Sequence, residues 1–228
     1  MLPEGGTEVE AEKIRLLIVE DEGLFRDMLY QSLSPQPNLE VVGAVADGIS
    51  AIEAADSLKP QVVLMDIELG SGISGIEAAF RIRANHPDTG IVILSMHKDK
   101  QYVASLPKGK AGGWSYLLKQ SVDDVAALVR AIEGSAAGFI VLDPAIVDGL
   151  RPAPGSVVDK LTTRQREVLE LMAKGYSNAS IADKLSITKK AVENYINVLF
   201  QELGITKEEP VHPRVMSVLI YLQETQGW

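Results

Sequence analysis

The stretch Val62-Val63-Leu64-Met65-Asp66, continuing as IELGSGISG to Gly75, decides how the chain is read. Four consecutive apolar residues bounded by turn formers fit a strand covered on both faces, as in a parallel sheet. A carboxylate then ends the run. Burying a charge is costly unless it is paired or coordinated. Asp66 therefore belongs at the edge of the sheet, facing something that offsets its charge.

Similar runs occur on either side. IRLLIV (14–19), LEVVGAVA (39–46), IVILS (91–95) and WSYLL (114–118) also read as strands. Amphipathic segments near 23–33, 49–58, 75–85, 99–106 and 122–134 alternate with them. Five strands alternating with helices predict right-handed βαβ units and a five-stranded, doubly wound parallel α/β domain. The following AAGFIVLDPAIVDGL adds an extended piece and a short helix starting at Pro144. RPAPGSVVDK (151–160), with two prolines and a glycine, reads as a linker.

Beyond the linker the pattern is wholly helical. Thr162 and Gln165 form a capping box for a helix that Gly175 closes. Ser177 caps a second helix (178–185) and Thr188 a third (189–203), and a fourth lies near 213–225. The expected organisation is a flexible N-terminal segment (1–12), an α/β domain (13–138), a short helix and linker (139–160), and an all-α domain (161–228).

The chain has 228 residues, no cysteine and a net charge of −9. Disulfides and thiolate metal sites are excluded, and no apolar run reaches the roughly 20 residues that span a bilayer. The acidic N-terminus is unlike a signal peptide, so the expected location is the cytoplasm, with no membrane partner. The charge is unevenly distributed. Residues 1–151 hold 13 basic and 22 acidic residues, whereas residues 160–228 hold 9 and 8. The helical domain is thus free to present a basic face.

Ligands of doubly wound sheets sit beyond the carboxyl ends of the strands. The first strand ends at Glu20-Asp21 and the third at Asp66, so three carboxylates converge if those strands are neighbours. Like charges that close demand a cation, and an all-oxygen site with room for water suits Mg²⁺ or Mn²⁺. The fourth strand ends at Ser95 and the fifth is followed by Lys119, a hydroxyl and an ammonium at the same edge. This constellation points to phosphoryl transfer onto a carboxylate, with Asp66 as the nucleophile.

On these residues, 13–134 resemble a bacterial response-regulator receiver domain, whose fold is flavodoxin-like. Glu20-Asp21 match its acidic pair, Asp66 its phosphoacceptor, Ser95 its switch hydroxyl, Tyr116 its switch aromatic and Lys119 its lysine. The resemblance implies a histidine kinase as phosphoryl donor. It also implies Mg²⁺ held by Asp21, Asp66 and the Glu68 carbonyl, with Glu20 acting through water. Glu68 and His97 fall where such domains tune phosphoryl lifetime. Two features depart from the pattern. Gly70 stands where receivers usually carry proline, in a loop (70–75) one residue longer than usual. Residues 102–119 are about two residues longer, with helix breakers at 106–113.

The third helix of the all-α domain carries an apolar stripe of Ala191, Val192, Tyr195, Ile196, Leu199 and Leu203. Its other side presents Lys190, Glu193, Asn194 and Asn197, residue types able to read base edges. Lys184 and Lys189 lie where phosphates are contacted. Residues 161–205 resemble the LuxR-type helix-turn-helix of the NarL/FixJ class. They match at Leu161-Thr162, Arg164, Glu167-Val168-Leu169, Gly175, Ser177-Asn178, Ile181-Ala182, Leu185, Ile187 and Val192. Glu193, Tyr195 and Glu202 replace residues that are commonly basic or histidine in that class. Each substitution removes positive charge or a possible phosphate contact, which makes a dimer on a repeated DNA site the expected binding form. Val215, Val218, Leu219 and Leu222 of the last helix form the expected dimer stripe, flanked by Met216 and Ile220.

The expected protein is a non-enzymatic, phosphorylation-dependent transcription regulator that binds double-stranded DNA as a homodimer. In its unphosphorylated form the receiver is expected to cover the DNA-binding face or the last helix. Two alternatives are a phosphorylation-independent regulator using the receiver as a dimer or ligand module, and an Asp-nucleophile phosphatase. The phosphatase would want Asp where the chain has Glu68, and leaves the helix-turn-helix unexplained.

Overall fold

The computed structural model describes residues 12–70, 72–96, 112–122, 124–206 and 211–226. The sequence-read helix at 99–106, the breaker segment to 111, His97 and most of the N-terminal segment lie outside them.

Six parallel strands form one sheet in the order β2-β1-β3-β4-β5-β6. They are β1 (Ile14–Val19), β2 (Leu39–Val45), β3 (Val62–Asp66), β4 (Gly90–Ser95), β5 (Trp114–Leu118) and β6 (Val141–Leu142). The first five are the expected ones. The sixth is the extended piece after the α/β pattern, which pairs with β5 through Ser115–Val141 and Tyr116–Leu142. Two residues are too few to display a period, so only the pairing reveals it as a strand.

Side chains alternate across the sheet with period two. Leu17, Val19, Val63 and Met65 enter the core on one face, and Leu16, Ile18, Val62 and Leu64 enter it on the other. Helices α1 (Gly23–Leu33), α2 (Gly48–Leu58), α3 (Gly75–Asn85) and α4 (Val125–Ala136) cover the two faces. Their starts are set by side chains that accept backbone N–H groups: Asp47 for α2, Ser74 for α3 and Asp124 for α4. Each fully buried Leu, Ile or Val contributes about 1.5–3 kcal/mol, so this two-sided burial is the main stabilising term.

A short helix α5 (Pro144–Val147) follows β6, capped by Asp143, whose Oδ2 also accepts from Leu118 N–H at 3.0 Å. The last unit holds α6 (Thr163–Ala173), α7 (Asn178–Leu185), α8 (Lys189–Glu202) and α9 (Pro213–Gln223). The Thr162–Gln165 capping box forms as expected, and Gly175 takes the left-handed φ of +82° that ends its turn.

The two units pack together on the β6 edge. Gly175 lies so near Val141 that a Cβ there would fall 2.8 Å from Cγ1. Arg130 of α4 stacks 4.6 Å above the Tyr176 ring, and Lys184 lies 4.5 Å from the same ring. Phe139 meets His212 edge-on at 5.3 Å. Lys174 pairs with Asp148 at 2.6 Å. Arg214 donates to Tyr176 O and to Asn178 Oδ1, and burial lowers its guanidinium to about 10, still a cation at neutral pH. Two-residue strands β7 (Arg151–Pro152) and β8 (Thr225–Gln226) pair antiparallel, joining the linker to the end of α9.

Among the described residues no helix is long and apolar enough to cross a membrane.

Candidate functional site

Strands β1 and β3 are direct neighbours, with Val19 opposite Met65, so the carboxylates that follow them meet at one sheet edge. One oxygen from each of Glu20, Asp21 and Asp66 lies within 4.8 Å of the others. Glu20 and Asp66 are buried, whereas Asp21 is exposed at the rim. The donor set is all oxygen and anionic, which fits a small hard divalent cation such as Mg²⁺ or Mn²⁺. Glu20 Oε2 is buried with the Lys119 ammonium 2.8 Å away and accepts no aligned hydrogen bond.

Lys119 supplies the counter-charge. It follows β5 in a short 3₁₀ turn (Lys119–Ser121), and its Nζ lies 3.0 Å from Asp66 Oδ2 and 2.8 Å from Glu20 Oε2. Desolvation raises both carboxyls above their usual range, opposed by the hydrogen bond from Lys119. Desolvation also works against the lysine's charge, but the two carboxylates outweigh it and hold its pKa above the ordinary value. The Phe25 ring, 4.9 Å from Nζ, covers the ammonium from α1.

Ser95 ends β4 one residue beyond Leu94, the partner of Asp66, which puts its hydroxyl on the strand next to the carboxylate. Tyr116 stands opposite Ile93 in β5 and is buried. Glu68 is exposed, and its N–H donates to Asp66 Oδ1 at 3.3 Å. Glu20, Asp21, Asp66, Glu68, Ser95 and Lys119 thus gather at one sheet edge, with Tyr116 inside the neighbouring strand.

Several contributors escaped the sequence reading. Arg26 donates from Nη1 to Glu20 O (2.7 Å) and Asp21 O (3.3 Å), fixing the turn that presents both carboxylates. Gly75 touches the main chain of Asp66, where a Cβ would fall 1.7 Å from the carbonyl oxygen. Gly70 donates its N–H to Asp21 Oδ2 at 3.0 Å. The place of Arg26, in the first turn of the helix that follows the acidic pair, was a usable signal. The two glycines carry no side chain to read.

On the helical unit, Lys184, Lys189, Lys190, Asn194 and Asn197 are exposed together with Val198. Glu193 is half-buried and pairs with Lys190 at 3.5 Å. The opposite side of α8 is anchored by Val192, Ile196 and Leu199. In α9, Val215, Val218 and Leu219 are buried within the chain itself, Leu222 is half-buried, and Met216 and Ile220 are partly covered. Val215, Val218 and Leu219 of the expected dimer stripe therefore also serve as core, closing over α6 and α8.

Comparison with known proteins agrees with both halves. Residues 16–143 match the response regulator receiver domain, and residues 159–210 match the bacterial regulatory proteins of the luxR family. The chain is 32% identical over 219 residues to the transcriptional regulatory protein DegU of Brevibacillus brevis, covering 87% of this chain and 91% of that one. It is 36% identical over 201 residues to the transcriptional regulatory protein MctR of Rhizobium johnstonii, covering 86% and 90%. A solved LuxR-family two-component response regulator from an Aurantimonas species superposes with a TM-score of 0.53 at 31% identity, covering 60% of this chain and 94% of that one.

Proposed function

Because the chain belongs to the two-component response regulators that join a receiver domain to a LuxR-type helix-turn-helix, a family of transcription regulators, we propose that Asp66 takes a phosphoryl group from a histidine kinase and that the helical domain binds operator DNA. The observation that carries this reading is the Glu20–Asp21–Asp66 cluster with Lys119 inside it.

The transfer breaks the P–N bond of a phosphohistidine and forms a P–O bond to the Asp66 carboxylate, returning the electron pair to the imidazole. Asp66 attacks as the carboxylate; desolvation, the larger effect, raises its pKa, and the hydrogen bond from Lys119 opposes that rise and favours the anion. Glu20, Asp21, Asp66 and the Glu68 carbonyl would hold Mg²⁺, which supplies charge neutralisation for the phosphoryl oxygens. Ser95 donates to a second phosphoryl oxygen and Lys119 to a third. Glu68 and His97 tune how long the product lasts.

Coupling to the helical domain runs through the β5–β6 edge. Tyr116 O accepts from Asp143 N–H at 2.8 Å, and β6 carries Val141 against Gly175. A pull on Ser95 and Tyr116 therefore acts on the edge against which the helix-turn-helix rests. The recognition face (Lys189, Lys190, Asn194, Asn197) is exposed while the α9 stripe is buried. Of the two forms of restraint expected from the sequence, the exposed recognition face favours restraint of the last helix, whose start meets the receiver where His212 and Arg214 pack on Phe139. Dimerisation then follows release of α9 from the receiver, with Met216, Ile220 and Leu222 as its most accessible apolar residues.

The test is DNA binding by the intact chain, with and without a beryllofluoride mimic and Mg²⁺, beside Asp66→Ala. Tighter binding with the mimic, absent in Asp66→Ala, is expected. Equal binding in every state would sink the switch.

A further inference from the structure

Three carboxylates form the acidic cluster, and two of them are held by Lys119. Asp21 is not. It is exposed at the rim, and among the described residues its side chain accepts one hydrogen bond, from Gly70 N–H to Oδ2 at 3.0 Å. Gly70 is the residue standing where receivers usually carry proline, which has no N–H to give.

The usual reason for a glycine does not apply here. Gly70 is not among the residues with positive φ. What the position requires is a donor and closeness, since a Cβ on Gly70 would lie 2.9 Å from Asp21 Oδ2. The rest of the loop is built to deliver that donor. Leu69 is buried immediately before it. Ile73 packs on Gly48 so tightly that a Cβ there would meet Ile73 Cγ1 at 2.7 Å. Gly75 N–H donates to Ile67 O at 3.0 Å, and Ser74 accepts from Glu77 N–H at 3.2 Å.

We infer that the Gly70 N–H is the positioning group for Asp21, fixing its carboxylate in the cation cluster as Lys119 fixes Glu20 and Asp66. The inference rests on the reading of Glu20, Asp21 and Asp66 as a cation site. A rim carboxylate left to solvent samples several rotamers, and ordering it falls to the binding cation. Pre-orienting groups behind a metal ligand change affinity by about 10–100-fold when removed.

The test is Mn²⁺ affinity of the full-length protein, read from the free-ion EPR signal, in five chains: native, Gly70→Pro, Gly70→Ala, Ser74→Ala and Asp21→Asn. Gly70→Pro removes the donor, and its dissociation constant is expected to rise about ten-fold, well beyond that of Gly70→Ala, which brings the same Cβ against Asp21 but keeps the N–H; equal weakening in the two would overturn the inference. Ser74→Ala disturbs the same loop but leaves the donor in place, and is expected to stay within about two-fold of native because the cap it removes lies outside the cluster. Far-UV circular dichroism of each chain in EDTA establishes that it is folded. Native affinity in Gly70→Pro, or equal weakening in Ser74→Ala, would overturn the inference. Native affinity in Asp21→Asn would instead remove the cation-site reading on which it stands.

Discussion

Lys119 and Asp66, 53 residues apart in sequence, meet with 3.0 Å between Nζ and Oδ2 at the carboxyl edge of the sheet. The same ammonium reaches Glu20 at 2.8 Å. The ammonium offsets part of the charge of two buried carboxylates, whose pKa values desolvation still raises, and a divalent ion would add to that compensation.

Lys119→Met keeps the volume and removes the charge. In metal-free buffer at pH 7 the variant is expected to lose about 2 kcal/mol of stability. That is below the roughly 3–5 kcal/mol typical of a broken buried pair, because the pocket opens to water at Asp21. Added Mg²⁺ should recover part of the loss. Urea denaturation in EDTA and in Mg²⁺ checks this, and a midpoint that does not move in EDTA contradicts it.

The exposed face of α8 divides into two kinds of contact. Lys189→Ala should weaken binding to all DNA sequences alike and lower the salt slope by about one ion. Asn194→Ala and Asn197→Ala should cost about 1–3 kcal/mol on the preferred site and little on random DNA, provided they read bases. Fluorescence anisotropy at several salt concentrations separates the two behaviours. Uniform weakening by the Asn variants would reassign them to phosphate contact.

Arg130 and Tyr176 join the α/β and helical units with 4.6 Å between guanidinium and ring. Such a contact contributes about 0.5–2 kcal/mol. Arg130→Ala should therefore open the interface several-fold, seen as faster proteolysis within residues 151–160 and tighter DNA binding without phosphorylation. Unchanged cleavage would show that the stack does not restrain the domains.

Glu170 on α6 is raised above its ordinary pKa, chiefly by desolvation, with Lys174 opposing and Asp148 reinforcing the shift. A raised carboxyl favours folding when protonated, so its contribution is present below the unfolded pKa and fades as pH rises through the folded one. Glu170→Gln should raise the melting temperature at pH 7 and leave it nearly unchanged at pH 4. A melting temperature lowered at pH 7 would mean that the Lys174 attraction dominates.

Much of this could be read from residues alone. Runs such as IRLLIV and VVLM are buried on both faces, so composition and length identify them, and β1 begins and ends where the run does. The polar groups at their ends followed from topology, since adjacent parallel strands bring Glu20, Asp21 and Asp66 together. What stayed hidden depends on main-chain or tertiary contact. Gly70 acts through its N–H, and Gly75 through the side chain it lacks. Val141 and Leu142 become a strand only by pairing with β5. Val215, Val218 and Leu219 looked like surplus apolar area because a stripe's partner, core or second copy, is not written in its periodicity.

The central claim is that Asp66 is the phosphoacceptor. Its most direct test is the intact mass of the protein after incubation with a small phosphodonor such as phosphoramidate and Mg²⁺. One added phosphoryl group on the native chain, strongly reduced in EDTA and absent from Asp66→Asn, is the result expected. An unlabelled native chain, or a label that persists in Asp66→Asn, would contradict it.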